Sequence, residues 1–187
     1  MARENLSGAD NQQERPVAVD NHYVAGFVDG EGSFHVAFQR SDGVRLRWQA
    51  VPEFHLSQNE SSRGVLEAVR CKLGCGNIRS NHRGRESDQT LVLVVRNRRD
   101  LLDKVIPFFE RYPLHTEKRN DFARFAQIVR MMEERRHLTL DGFREIVRLA
   151  YSMNARGSRR RVPQREILRS LESSETIRQR PAPSVKI

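Results

Sequence analysis

Only two of the 187 residues are cysteine, Cys71 and Cys75, too few for a disulfide scaffold and without partner histidines at zinc-finger spacing. They read as reduced thiols of an intracellular protein. Long hydrophobic runs are missing too. The longest uncharged apolar stretches, such as residues 90–95, fall far short of the roughly 20 residues that cross a bilayer, and no secretory-type segment opens the chain. A membrane-spanning or secreted protein is therefore not expected. Nor does the chain carry a glycine-rich phosphate loop, a nucleophile elbow or paired metal-binding histidines, and neither half repeats the other. Lysine is scarce, four residues against 29 arginines. So broad an arginine bias more often reflects a GC-rich coding genome than selection at each site, so any one lysine stands out.

What the chain does have is positive charge: 33 Lys plus Arg against 24 Asp plus Glu, a net +9, with 37% hydrophobic residues. That suits one compact domain with a modest core and tails. Residues 154–187 hold nine basic and three acidic side chains, which places +6 of the +9 there. Such polarity points to a polyanion, most simply nucleic acid, because each phosphate neutralised releases counterions. A merely solvated tail is the plainer alternative.

Residues 1–20 are polar and aperiodic and read as a disordered leader. Asn21 is a plausible N-cap for a short helix over 22–28, closed by Asp29-Gly30-Glu31-Gly32. Phe34, Val36 and Phe38 then alternate with polar residues, the period of a strand with one buried face. Ser41-Asp42-Gly43 reads as a hairpin turn, and the return strand over 44–58 buries Leu46, Trp48, Ala50, Phe54 and Leu56. Pro52 marks a bulge or an edge within it. A helix bearing Val65, Leu66, Val69 and Leu73 ends at Gly74. A second hairpin, 77–83 with 88–96, and helices over 98–110, 117–136 and 140–153 complete the body. Hairpins separated by helices imply an α+β fold whose antiparallel sheet is covered on one face. Its other face would present Ser33, His35, Gln39, Arg45, Arg47, Gln49, Glu53, His55, Arg79, Asn81 and Gln89. Side chains of this kind pair with base edges and could track a DNA groove, or simply face solvent. His35 and His55 stand on opposite strands without a supporting third ligand and are expected to touch base or phosphate. Pro163 with Ile167, Leu168 and Leu171 suggests a short helix in the tail.

The segment Tyr23-Val24-Ala25-Gly26-Phe27-Val28-Asp29-Gly30-Glu31-Gly32-Ser33-Phe34 carries the chemistry. Gly26 inside a helix costs about 1 kcal/mol relative to alanine, which suggests a face where another backbone approaches. Asp29 and Glu31 sit at the helix C-terminus, where the macrodipole disfavours carboxylates. A bound divalent cation would reverse that balance, since hard cations take carboxylate and carbonyl oxygens; two solvated acids at a capped turn would not need one.

This segment resembles the signature helix of the LAGLIDADG homing endonucleases, single-motif type, and the element order over residues 21–153 resembles their αββαββα core with a saddle-shaped sheet. Tyr112-Pro113-Leu114 through Lys118-Arg119 to Asp121-Phe122 is similar to the segment that follows their second hairpin. The resemblance implies a site-specific double-strand DNA endonuclease that hydrolyses phosphodiesters with Mg2+, Mn2+ or Ca2+ substituting for binding. Because one motif is present, it implies a homodimer on a long pseudo-palindromic site, serving intron mobility, with the helices meeting through Ala25, Gly26, Val28 and Asp29. It makes Glu31 and the Gly30 carbonyl the metal ligands, Gln58 a catalytic residue that orders water, and Lys118 the basic catalytic residue, with Arg119 and His115 as near alternatives. Asp29 serves the structure around the helix end. The family also contains non-cleaving members, RNA-splicing maturases and sequence-specific DNA-binding regulators, so RNA is the alternative partner. A bacterial or archaeal cytoplasm is the expected location, an organelle the alternative.

Overall fold

The computed structural model describes residues 18–81, 89–154 and 160–179, the last seven without side chains. Most of the expected leader, the tip of the second hairpin and residues 180–187 lie outside the described residues.

Helix α1 (Asn21–Glu31) begins at Asn21 itself, one residue before the expected first helical position. Asp20 takes the N-cap role, its Oδ1 accepting the Tyr23 amide at 2.7 Å, which satisfies one of the free donors of the first turn. The helix also runs three residues beyond Val28, so both acids belong to its last turn. Strand β1 (Gly32–Arg40) follows without a loop and pairs antiparallel with β2 (Trp48–Asn59). The expected turn at 41–43 is instead a seven-residue loop, held by Ser41 N–H to Arg47 C=O at 3.1 Å and Arg47 N–H to Val44 C=O at 3.0 Å. Arg40 pairs with Trp48 rather than with Val44. This four-residue displacement is even, so every side chain keeps its expected face. The ladder passes Pro52 without a bulge, opposite Val36. On its other side β2 pairs with β4 only from Phe54 onward, so Pro52 lies where β2 is still an edge.

Helix α2 (Arg63–Leu73) ends at Gly74, whose φ of +67° is the left-handed cap that glycine adopts without strain. Strands β3 (Asn77–Ser80) and β4 (Thr90–Val95) complete one sheet in the order β1-β2-β4-β3, all antiparallel. The expected helix after β4 is continuous but uneven: α3 (Arg98–Asp100), a π turn (Leu101–Val105) and α4 (Ile106–Arg111). The wide turn precedes Pro107, which has no N–H and crowds the carbonyl four residues back. Helices α5 (Lys118–Glu133), α6 (Leu140–Tyr151) and α7 (Gln164–Gln179) follow.

The core lies between the sheet and the helices. At its centre the Phe34 ring meets those of Phe54, Phe109, Phe122 and Phe125 at 5.2–5.5 Å, so the residue two past Gly32 is locked by rings from β2, α4 and α5. The chain beyond residue 153 returns to this body. Asn154 Nδ2 donates to Phe34 C=O at 2.8 Å, and Arg160 donates to Val36 C=O and, at 2.6 Å, to Ala150 C=O. These bonds cover the free edge of β1, which would otherwise template pairing with another chain. Of the three consecutive arginines, Arg160 is therefore used by the fold, its guanidinium 4.7 Å from the Tyr151 ring. Ile167 and Leu171 of α7 are fully buried, and Trp48 Nε1 donates to Ser170 Oγ at 2.6 Å. Both cysteines are free, and burial with the nearby Asp100 pushes the Cys75 thiol up to about 11. No helix among the described residues is long and apolar enough to cross a membrane.

Candidate active site and nucleic-acid interface

The end of α1 is a tight joint. Gly32 takes an extended conformation directly after Glu31, and its N–H donates to the Val28 carbonyl. A Cβ on Gly32 would stand 2.6 Å from Val28 Cγ1 and 2.7 Å from Val28 O, closer than real contacts allow. Glycine at this position lets the chain turn from helix to strand at once, which leaves Glu31 and Gly30 exposed at the helix end.

Asp29, by contrast, faces its own chain. Its carboxylate accepts the His115 amide at 2.9 Å, the Thr116 amide at 3.1 Å and the Thr116 hydroxyl at 2.6 Å. Partial burial would raise its pKa, but these bonds and the charge of Lys118 hold it below the usual carboxylate value. Thr116 Oγ1 also accepts the Lys118 amide at 3.2 Å at the start of α5. Lys118 Nζ then reaches back to donate to Val28 C=O at 3.0 Å and Gly30 C=O at 3.2 Å. A cation on the last carbonyls of a helix is favourably placed against the macrodipole. Burial lowers the Lys118 pKa although Asp29, Glu31 and Asp121 favour its charged form. Among the three basic candidates, Lys118 is the one whose ammonium meets the helix end; His115 contributes its backbone amide, and the Arg119 side chain is exposed.

Gln58 is half-buried near the end of β2, opposite Leu91. The pairing of Gly32 with Leu56 carries Ser57 and Gln58 along β2 past the end of α1. Glu31 offers an exposed carboxylate at the helix end, the kind of oxygen donor a hard divalent cation takes, and the adjacent Gly30 carbonyl is a second, here accepting from Lys118.

The opposite face of α1 corrects one expectation. Ala25 and Val28 are buried in the protomer's own core, at 6% and 0% exposure, so neither can present its side chain to a second helix. The exposed face comprises Gly26, Gly30 and Tyr23, which is 45% exposed and stacks on Phe27, itself half-buried against the core. A Cβ on Gly26 would meet nothing within 4 Å. No crowding inside the protomer explains that glycine.

On the outer sheet face Ser33, His35 and His55 are half-exposed, and Gln39, Arg45, Arg47, Gln49, Arg79, Asn81 and Gln89 are exposed. Arg45 and Arg47 lie in the 41–47 loop, where Arg47 pairs with Asp42 at 2.6 Å. Glu53 is a correction: expected as an outward reader of DNA, it is only 3% exposed. His35 Nε2 and His55 Nε2 lie 3.2 and 2.8 Å from its Oε2, and Arg96 Nε lies 2.5 Å from its Oε1. The two histidines thus do have a third partner between them, because antiparallel register sets His35 opposite Glu53 and Ser33 opposite His55. Burial would raise the Glu53 pKa, yet the imidazoles of His35 and His55 hold it well below the usual range. Val92 and Val94 add a buried apolar strip beside Ser57 and His55.

Sequence reasoning missed Thr116 and Arg96. Thr116 stood at a legible helix start, two residues before α5; Arg96 carried no local signal.

The structure thus sets an acidic helix end, with a lysine folded onto it, next to an open and largely polar antiparallel sheet. Residues 24–129 match the LAGLIDADG endonuclease family, and the chain belongs to it. It is 35% identical over 130 residues to the probable intron-encoded endonuclease 3 of Neurospora crassa, covering 70% of this chain but only 24% of that relative. The crystal structure of the homing endonuclease I-TnaI superposes with a TM-score of 0.72 at 37% identity, covering 84% of this chain and 99% of the other. The archaeal intron-encoded homing endonuclease I-Vdi141I, solved in complex with DNA, superposes with a TM-score of 0.74 at 28% identity, over 83% and 96% of the two chains.

Proposed function

We propose that this chain is a site-specific DNA endonuclease that cuts both strands as a homodimer, with Mg2+ held by Glu31 and the Gly30 carbonyl. The observation that carries this is the convergence of Lys118 on the end of α1 beside Glu31, with the other face of the same helix left bare at Gly26. Gly26, Gly30 and the Tyr23–Phe27 pair would form the two-fold contact, bringing two Glu31 carboxylates toward opposite strands. The bound cation would supply charge neutralisation at the scissile phosphate and an activated water. The chain's own groups do the rest. Lys118 stands ready to offset charge gathering on the phosphate oxygens, the Gln58 amide orients water at the strand end, and Asp29 fixes the segment that delivers Lys118. The outer sheet face would lie in the major groove, its glutamines, asparagine and arginines against base edges and phosphates. The intron-encoded relatives support a reading frame carried by a mobile intron, whose uninterrupted allele would be the substrate.

Glu31→Gln keeps the size and removes the anionic ligand. It should bind target duplex with affinity within a few-fold of the parent and make no double-strand break in Mg2+. Full cleavage by that variant would remove Glu31 from the chemistry. A parent protein that binds tightly and never cuts would instead favour a non-cleaving maturase or regulator.

A further inference from the structure

We propose that His35, Glu53 and His55 form a second metal site, on the outer face of the sheet, for a transition-metal ion of the zinc class. Three donor atoms already converge there, all within 4.8 Å of one another. Both imidazole Nε2 atoms approach the same carboxylate oxygen, at 3.2 and 2.8 Å. Tetrahedral zinc with bonds of about 2.0–2.1 Å places its donors roughly 3.3 Å apart, so small side-chain adjustments admit the ion. His55 Nε2 is buried and makes no hydrogen bond of good geometry despite its closeness to Glu53. A buried ring nitrogen without a well-formed hydrogen bond is costly, and a metal bond would satisfy it.

The surroundings are already arranged for such an ion. Arg96 takes Oε1 of Glu53 and leaves Oε2 to face the histidines, the outer-shell arrangement that orients ligating carboxylates. The two rings meet edge to face at 4.4 Å, each restricting the other's rotation. The side chains of His35 and His55 keep 29% and 24% of their surface, so an ion can enter and a water can complete the shell. Two nitrogens and one oxygen select zinc-class ions over Mg2+, whereas the oxygen donors at Glu31 select the reverse. One chain would thus hold two ions of different hardness. The sheet-face ion would clip β1 to β2 and withdraw both histidines from contact with DNA.

The test uses the full chain, stripped with a chelator and free of any histidine tag, titrated with Co2+ as a coloured substitute for Zn2+. One Co2+ per chain should bind with visible d–d absorption, resist millimolar Mg2+ and be displaced by Zn2+. The signal should persist in Glu31→Gln and weaken at least tenfold in His35→Gln and in His55→Gln. Zn2+ should raise the Tm of the parent and not of His55→Gln, which separates lost binding from lost folding. Absence of stoichiometric binding, or binding unchanged in both histidine variants, overturns the proposal. So does a signal lost in Glu31→Gln, which would assign the ion to the helix end.

Discussion

Asp29→Ala deprives three donors of their acceptor at once: the amides of His115 and Thr116 and the Thr116 hydroxyl, now held at 2.9, 3.1 and 2.6 Å. Hydrogen bonds to a charged group contribute about 1.5–3 kcal/mol each when buried. This site is half-buried, so water would replace much of what is lost, and a total near 2 kcal/mol is expected rather than the sum. For a chain of this size that is a fall in Tm of roughly 4–8 °C. The pH dependence follows from the sign of the shift. The folded-state pKa of Asp29 lies below the ordinary carboxylate value, so its contribution is complete above about pH 4 and fades as pH falls through the depressed value. Urea unfolding of parent and variant at pH 7, 5 and 3 measures this directly: the gap should be the same at the two higher values and smaller at the lowest. A gap under 0.5 kcal/mol at neutral pH, or one that does not shrink in acid, would refute the view that this carboxylate ties the Lys118 segment to α1.

Gly26→Leu should leave the protomer folded, with stability unchanged or about 1 kcal/mol higher from helix propensity, because a Cβ there meets open space. Sedimentation should nonetheless show the loss of any dimer, and cleavage should go with it. Gly32→Ala should cost about 1–3 kcal/mol through overpacking against Val28, seen as a lower urea midpoint, and should impair cleavage by displacing Glu31. Lys118→Met should change stability by no more than about 1 kcal/mol while slowing single-turnover cleavage at least 100-fold, with DNA affinity within a few-fold of the parent.

The strand faces were legible because alternation has a period of two, and an even error in turn length does not move a side chain to the other face. This is why Trp48, Ala50, Phe54 and Leu56 were placed inward although the ladder starts four residues later than the turn signal suggested. The helix end was legible for a different reason. Two carboxylates and two glycines concentrated at a helix C-terminus contradict local propensity, and such contradictions accumulate where function constrains the chain. Burial on α1 was not legible. Small residues at Ala25 and Gly26 look alike in a sequence, but helical geometry buries the first and leaves the second exposed.

By itself the amino-acid sequence determined the α+β order of elements, the signature helix and its paired acids, because these rest on periodicity, capping and residue chemistry within a few positions of one another. Only the tertiary structure decided that Asp29 belongs to Thr116, that Lys118 folds onto the end of α1, that Glu53 sinks between two histidines and that Arg160 covers the edge of β1. Each of those joins groups from separate elements. Cross-strand register and helix packing set such distances, and no local pattern along the chain records them.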